Sequence, residues 1–177
     1  MVGLIRIPTN DGVIKIGVIS SFEPVVQIDA RVLILGTMPS VESLRSHQYY
    51  GNKRNQFWTI VYALFDRAPE PSYESRVAFL RKNRIALWDV LSSCDRVDSL
   101  DSNIRNEVVN DLQKFLEAYH NITAIFFNGG KAFDVFEKNI GFDNLRLQYS
   151  KMPSTSPANT ISMSAKLREW NLVRELL

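Results

Sequence analysis

The 177-residue sequence predicts an α/β fold built on a mainly parallel sheet. Three observations carry that prediction. Continuous apolar runs, the pattern of strands buried on both faces, recur at 31–36 (RVLILG), 84–91 (RIALWDVL) and 122–130 (ITAIFFNGG). Segments with apolar residues at helical spacing alternate with them. Two of the runs close on glycine, where a strand hands over to a turn.

Residues 4–19 (LIRIPTNDGVIKIGVI) alternate apolar positions around Asn-Asp-Gly and predict a β-hairpin, an N-terminal extension over residues 1–20. Residues 21–30 connect it to the strand at 31–36. Residues 36–55 form a connector of glycines, tyrosines, amides and bases, unusually long for a link between strand and helix. A helix follows at 54–68, with Phe57, Trp58, Val61, Leu64 and Phe65 at helical spacing. A second, at 71–83, starts near Pro71 and Ser72. After the strand at 84–91, residues 92–106 read as polar and irregular, and 107–120 as a helix. The strand at 122–130 feeds a helix at 131–140. A short strand at 145–150, a loop with two prolines at 151–160 and a helix at 164–177, capped by Ser162 or Ser164, complete the chain.

Charged residues make up 23% of the chain and apolar residues 45%, the composition of a soluble domain. A net charge of +2 permits a polyanionic partner without requiring one. Cys94 is the only cysteine, which excludes an internal disulfide and suits a reducing, cytoplasmic location. With His47 and His120 as the only histidines, no zinc or iron–sulfur site is expected, while composition leaves carboxylate sites for Mg open; no cofactor is expected. No apolar run approaches the roughly 18 residues of a membrane span. No signal-peptide pattern opens the sequence, so no membrane partner is expected.

In parallel sheets ligands bind beyond the C-terminal strand ends. The loops at 36–55 and 88–103 and the turn at Asn128 should therefore meet at one edge, with the 151–160 loop beside them. GTMPS (36–40) has too few glycines for a phosphate loop or a dinucleotide fingerprint. Tyr49 and Tyr50 are core anchors or stacking platforms, and Arg45, Lys53 and Arg54 flank them, solvated or reaching for phosphate. Asn55 can cap the following helix or hold a water. Asn128 carries the same ambiguity. PSTSPAN (153–159) offers hydroxyls to an anion or makes a rigid turn. Trp58, Trp88 and Trp170 suit the core, with Trp88 also able to line a pocket. SLDSN (99–103) can provide a carboxylate, Asp101, although aspartates in polar loops are ordinary in caps and turns. Such loops suit a planar, anionic ligand such as a nucleotide or nucleic acid.

RVLILGTMPS, YYGNKRNQFW, ALWDV, SLDSNI, FNG and PSTSPAN, in this order, resemble the hypoxanthine-DNA glycosylase (DNA-deoxyinosine glycosylase) branch of the uracil-DNA glycosylase superfamily over about residues 21–175. The resemblance implies a glycosylase domain over 21–177, with a parallel sheet between helical layers, a three-layer α/β/α sandwich. It implies a monofunctional enzyme that flips a deaminated base, chiefly hypoxanthine, out of double-stranded DNA and hydrolyses its N-glycosidic bond; a monomer is expected. The superfamily's first motif ordinarily carries an amide or carboxylate where this chain has Met38, and its second a His or Asn where this chain has Met152. In the hypoxanthine branch an Asn further along replaces the first, and the matching residue is Asn55. By the same resemblance Tyr50 stacks on the base, and Gly36, Thr37 and Met38 line its pocket. Trp88, Asp89 and Asn128 contribute to base selection, while Ser154, Thr155 and Ser156 touch the DNA backbone. A uracil or mismatch specificity through the same site, a catalytically silent nucleic-acid-binding module and an enzyme acting on free nucleotides remain the alternatives.

Overall fold

The computed structural model describes residues 18–96 and 98–177. All but the last two residues of the expected 4–19 hairpin lie outside that range. Four parallel strands form the central sheet: β2 (Val32–Gly36), β3 (Ile85–Asp89), β6 (Ala124–Asn128) and β7 (Gln148–Met152), in the order β3-β2-β6-β7. β2 and β6 are buried along their whole length. Their continuous apolar sequence follows from helices covering both faces.

Side-chain alternation on β2 divides the core. Val32 and Ile34 pack with α2 (Phe57–Ala63), α3 (Tyr73–Lys82) and α6 (Met163–Glu175) on one face. Leu33 and Leu35 pack with α4 (Leu112–Ala118) and α5 (Gly130–Asn139) on the other. The result is the expected α/β/α sandwich. Cys94 and Trp170 are core residues. Among the described residues no helix is long and apolar enough to cross a membrane.

Two regions depart from expectation. Residues 92–106 are only partly irregular: β4 (Leu91–Asp95) and β5 (Arg105–Val109) form an antiparallel sheet with β1 (Val18–Ser20), in the order β1-β4-β5, and the loop joining β4 to β5 holds a short 3-10 turn at Asp101–Asn103. β5 reads RNEVV and is largely exposed, so it lacks the apolar signal of a buried strand. It takes residues expected in a helix, and α4 starts only after Asp111, whose side chain accepts from Lys114 N. The 36–55 connector holds α1 (Val41–Ser46), capped by Ser40 Oγ, which accepts from Ser43 N at 3.2 Å. A six-residue helix with one buried side chain has no apolar stripe to betray it.

Phe126, fully buried in the middle of β6, tests the central packing. Phe126→Ala is expected to lower the unfolding free energy by about 3–5 kcal/mol, measured by urea denaturation.

Candidate active site

Parallel pairing aligns the strand ends. Gly36 of β2 pairs with Asp89 of β3, Leu35 with Phe127, and Asn128 of β6 with Met152 of β7. Asp89, Gly36, Asn128 and Met152 thus form a row at the C-terminal edge of the sheet. The chain leaves β2 toward β3 and returns to β6 on the other side, which places a crevice between β2 and β6. A cleft of about 410 Å³ opens there. Its walls include Gly36, Thr37, Met38, Tyr50, Asn55, Asp89, Asn128, Ser154, Thr155 and Ser156.

The two tyrosines have separate jobs. Tyr49 is a core anchor: its hydroxyl donates to the main-chain oxygens of Phe22 and Glu23, and its own carbonyl accepts from Trp58 Nε1. Tyr50 sits at φ 54°, in the left-handed region that non-glycine residues seldom enter. That turn aims its ring into the cleft wall, where it stacks on Phe57 with centroids 3.9 Å apart and planes 16° apart. Burial and the nearby Asp89 push its hydroxyl well above the usual phenol range, so it stays protonated.

Asn128 Nδ2 donates to Tyr50 Oη at 2.8 Å and to Thr155 Oγ1 at 2.9 Å, while its Oδ1 accepts from Thr155 N at 2.9 Å. Both amide protons are therefore spent inside the protein. Asn128 holds the walls of the cleft, and only an oxygen lone pair remains for a ligand. Gly129 follows at φ 106°, a conformation side chains rarely adopt. A Cβ there would meet Ser154 Cβ at 3.1 Å.

Asp89 is buried beside Gly36, and its Oδ2 accepts from Ser21 Oγ at 2.6 Å. Burial raises its pKa to about 7, against the opposing pull of the Ser21 hydrogen bond and the Arg96 charge. Asp101, also on the cleft, accepts from Thr37 Oγ1 at 3.0 Å, and burial raises its pKa too. Arg96 donates to the Pro39 carbonyl and so ties the GTMPS turn to the end of β4. Asn55 behaves partly as a cap, its Oδ1 accepting from Phe57 N at 3.0 Å. Among the described residues its Nδ2 has no partner, which leaves an amide donor on the cleft wall.

Four residues named from the sequence, Trp88 for the base and Arg45, Lys53 and Arg54 for the DNA, do not line the cleft. Trp88 precedes Asp89 on β3, and alternation sends its side chain to the opposite face. There it packs on Phe115 and donates to Phe22 O, so it does not line the cleft. Arg45 is exposed and paired with Glu42, and Lys53 and Arg54 are exposed beside the cleft rather than in it. The sequence offers Asp101 only as a loop carboxylate without a role, and does not single out Ser21. SLDSN has the look of an ordinary turn, and no local pattern links Ser21 to a carboxylate 68 residues away. Among the described residues no three His, Cys, Asp or Glu side chains converge to hold a metal ion.

The sequence profile described as the uracil DNA glycosylase superfamily matches residues 23–176. A hypoxanthine DNA glycosylase of Methanosarcina acetivorans is 36% identical over 155 residues, covering 86% of this chain and 95% of that protein. One from Methanosarcina barkeri is 30% identical over 152 residues, 84% and 93% of the two chains. The solution NMR structure of a candidate uracil DNA glycosylase from Methanosarcina acetivorans superposes with a TM-score of 0.76 at 34% identity, covering 90% of this chain and 98% of that one.

The raised pKa of Asp89 sets a pH dependence. The folded state holds the proton over a range where an ordinary carboxyl, at 3.8, has lost it. The contribution of the carboxyl to stability is thus fully present below about 4 and lost as pH rises through about 7. The stability of the protein relative to Asp89→Asn should fall over that window and flatten above it, as read by denaturation at several pH values. Gly36→Ala places a Cβ at 2.6 Å from Asp89 Oδ1 and 3.2 Å from Tyr50 Oη. It is expected to displace both groups and to lower ligand affinity and stability together, measured by titration and thermal melting.

Proposed function

Since the chain belongs to the uracil DNA glycosylase superfamily, we propose that its cleft receives a deaminated base, chiefly hypoxanthine, extruded from double-stranded DNA, and that the enzyme hydrolyses the N-glycosidic bond. The observation that carries this reading is the meeting of Tyr50, Asn55 and Asp89 on one cleft at the sheet edge. A flat ring held against Phe57 offers a stacking surface to a planar base, worth roughly 1–3 kcal/mol. An amide with a free donor can hold a water. A buried carboxyl can read the edge on which hypoxanthine differs from adenine, the N1–H donor and the O6 acceptor.

In the proposed reaction the C1′–N9 bond stretches toward an oxocarbenium-like state. Water adds at C1′ and loses a proton; the departing purine, which keeps the C1′–N9 electron pair, takes up a proton; and the products are free hypoxanthine and an abasic site. A cationic sugar is electrophilic enough that water needs orientation rather than a strong base, so the neutral amide of Asn55 suffices. Its Nδ2 and the second lone pair of Oδ1 are the groups left for that water. Asp89 meets O6 as a donor when protonated and N1–H as an acceptor when ionised. A pKa of about 7 makes both forms available near neutrality. Asn128 acts through Tyr50 and Thr155, as a positioning residue.

Outside the cleft, Lys53 and Arg54 are exposed to meet phosphates, and Ser154 and Ser156 keep hydroxyl protons to offer on the other rim, whereas the buried Thr155 is committed to Asn128. Arg45 would have to leave Glu42 to join them, a small cost for an exposed pair. A monomer acting in the cytoplasm fits this reading.

The test is single-turnover cleavage of duplexes carrying one hypoxanthine, uracil, xanthine or normal base, developed by alkaline strand scission. Selective cutting at hypoxanthine is expected, and no cutting at any base would refute the reading. Asn55→Ala should lower excision by about 10²–10³-fold, the effect of losing one well-placed polar group at the transition state, with duplex affinity unchanged. Affinity should also fall steeply with salt, in a titration series, because phosphate contacts dominate it.

A further inference from the structure

Lys166 is wholly buried, on the α6 stripe that also carries Trp170 and Val173 into the core. A lysine is costly there. Burial alone lowers its pKa, and among the described residues no carboxylate lies within ion-pair distance of it. A leucine or methionine would complete the stripe without stranding a charge.

The ammonium has two partners, and each belongs to one rim of the cleft. Nζ donates to Gln56 Oε1 at 2.8 Å, next to Asn55, and to the main-chain oxygen of Asn159 at 3.0 Å, in the serine-rich loop. Two further bonds run along the same seam: Gln56 N to Thr155 O at 3.0 Å, and Trp170 Nε1 to Pro153 O at 3.0 Å. The peptide from Asn55 to Gln56 and the loop from Pro153 to Asn159 are thereby held to one helix. Core packing accounts for Trp170. It does not account for a cation at Lys166.

We infer that Lys166 is a positioning residue of this active site: from beneath the cleft, its ammonium fixes the Asn55–Gln56 segment against the Pro153–Asn159 loop, and so sets the distance between the Asn55 amide and the DNA-facing rim. The inference rests on the glycosylase reading and deepens it. Asn55 needs such support because its own anchor, the bond to Phe57 N, fixes the amide to its helix but not to the opposite rim. A nucleotide gripped on the serine-rich rim would have its C1′ placed relative to the Asn55 amide by this ammonium. Misplacing a catalytic group by about 1 Å can cost roughly 100-fold in rate. A buried cation without a counter-ion is then kept against stability, for geometry.

The experiment compares wild type, Lys166→Met, Gln56→Met and the double variant on a deoxyinosine duplex. Readouts are single-turnover rate, duplex affinity and thermal midpoint. Methionine matches the lysine stem in length and removes the charge. Lys166→Met is expected to melt no lower than wild type, since a buried charge is replaced by an apolar group. It should bind duplex with nearly unchanged affinity and cut roughly 10–100-fold more slowly. The double variant should be no slower than Lys166→Met, because both changes break the same contact. A Lys166→Met enzyme that cuts at the wild-type rate overturns the inference and leaves the glycosylase reading standing. So does a variant whose rate falls only in step with a lowered melting point, or a double variant whose losses simply add. If Lys166→Met does not fold, Gln56→Met alone decides: an unchanged rate overturns the inference, and a loss of rate at an unchanged melting point supports it. A wild type that excises no base removes both the reading and the inference.

Discussion

The side-chain amide of Asn128 joins the segments that make the cleft. From the end of β6 it donates to Tyr50 and Thr155 and accepts from the Thr155 main chain. One amide thus binds the long first loop, the central sheet and the serine-rich loop. The two bonds to Thr155 are buried and the one to Tyr50 partly so, and a buried one left unmade would cost about 1–3 kcal/mol of desolvation. The cleft holds its shape because each polar side-chain atom of this joint has a partner within it. Tyr50 can occupy a left-handed backbone conformation because Phe57 beneath it and Asn128 beside it both hold the ring.

Around that joint the protein keeps two groups that work against its own stability. Asp89 is desolvated and answered chiefly by Ser21 and the field of Arg96. Lys166 is desolvated and answered by two neutral oxygens. Neither is a choice that a core selected for packing alone would make. Both lie at or under the cleft, one where the base edge would be read and one where the two rims are set.

How much of this was legible in the sequence follows from physics. Strands β2, β3 and β6 announce themselves because burial on both faces demands an uninterrupted apolar run, and the helices that cover them show the complementary stripe. β5 does not, because an exposed edge strand can carry Arg, Asn and Glu. α1 does not, because a six-residue helix held by its Ser40 cap has no period to detect. In the site, Tyr50, Asn55, Asp89 and the Ser154–Ser156 turn are visible as loop residues around strand ends and through family resemblance. The alternation of β3 was also visible and argues against Trp88 once Asp89 is placed in the cleft. Asp101 and Ser21 become site residues only through tertiary contacts. Lys166 did leave a trace, a lysine four residues before Trp170 on the core stripe, but the trace is hard to see until the direction of that stripe is known.

β3 passes into β4 with only Val90 between them, so one stretch of chain serves both sheets. Val90 N donates to Gly36 O at 2.8 Å and Leu91 N to Thr37 O at 3.2 Å, while Asn110 Nδ2 donates to Asp89 O at 2.9 Å. The turn after β2, which in a parallel sheet is commonly a free loop, is here buttressed by a second sheet. A wall braced in this way has little freedom to widen for a bulkier guest or to shrink around a smaller one. Discrimination on this side of the cleft becomes a matter of shape fixed before encounter. On the proposed reading, the protein samples many bases in succession without rebuilding its pocket for each.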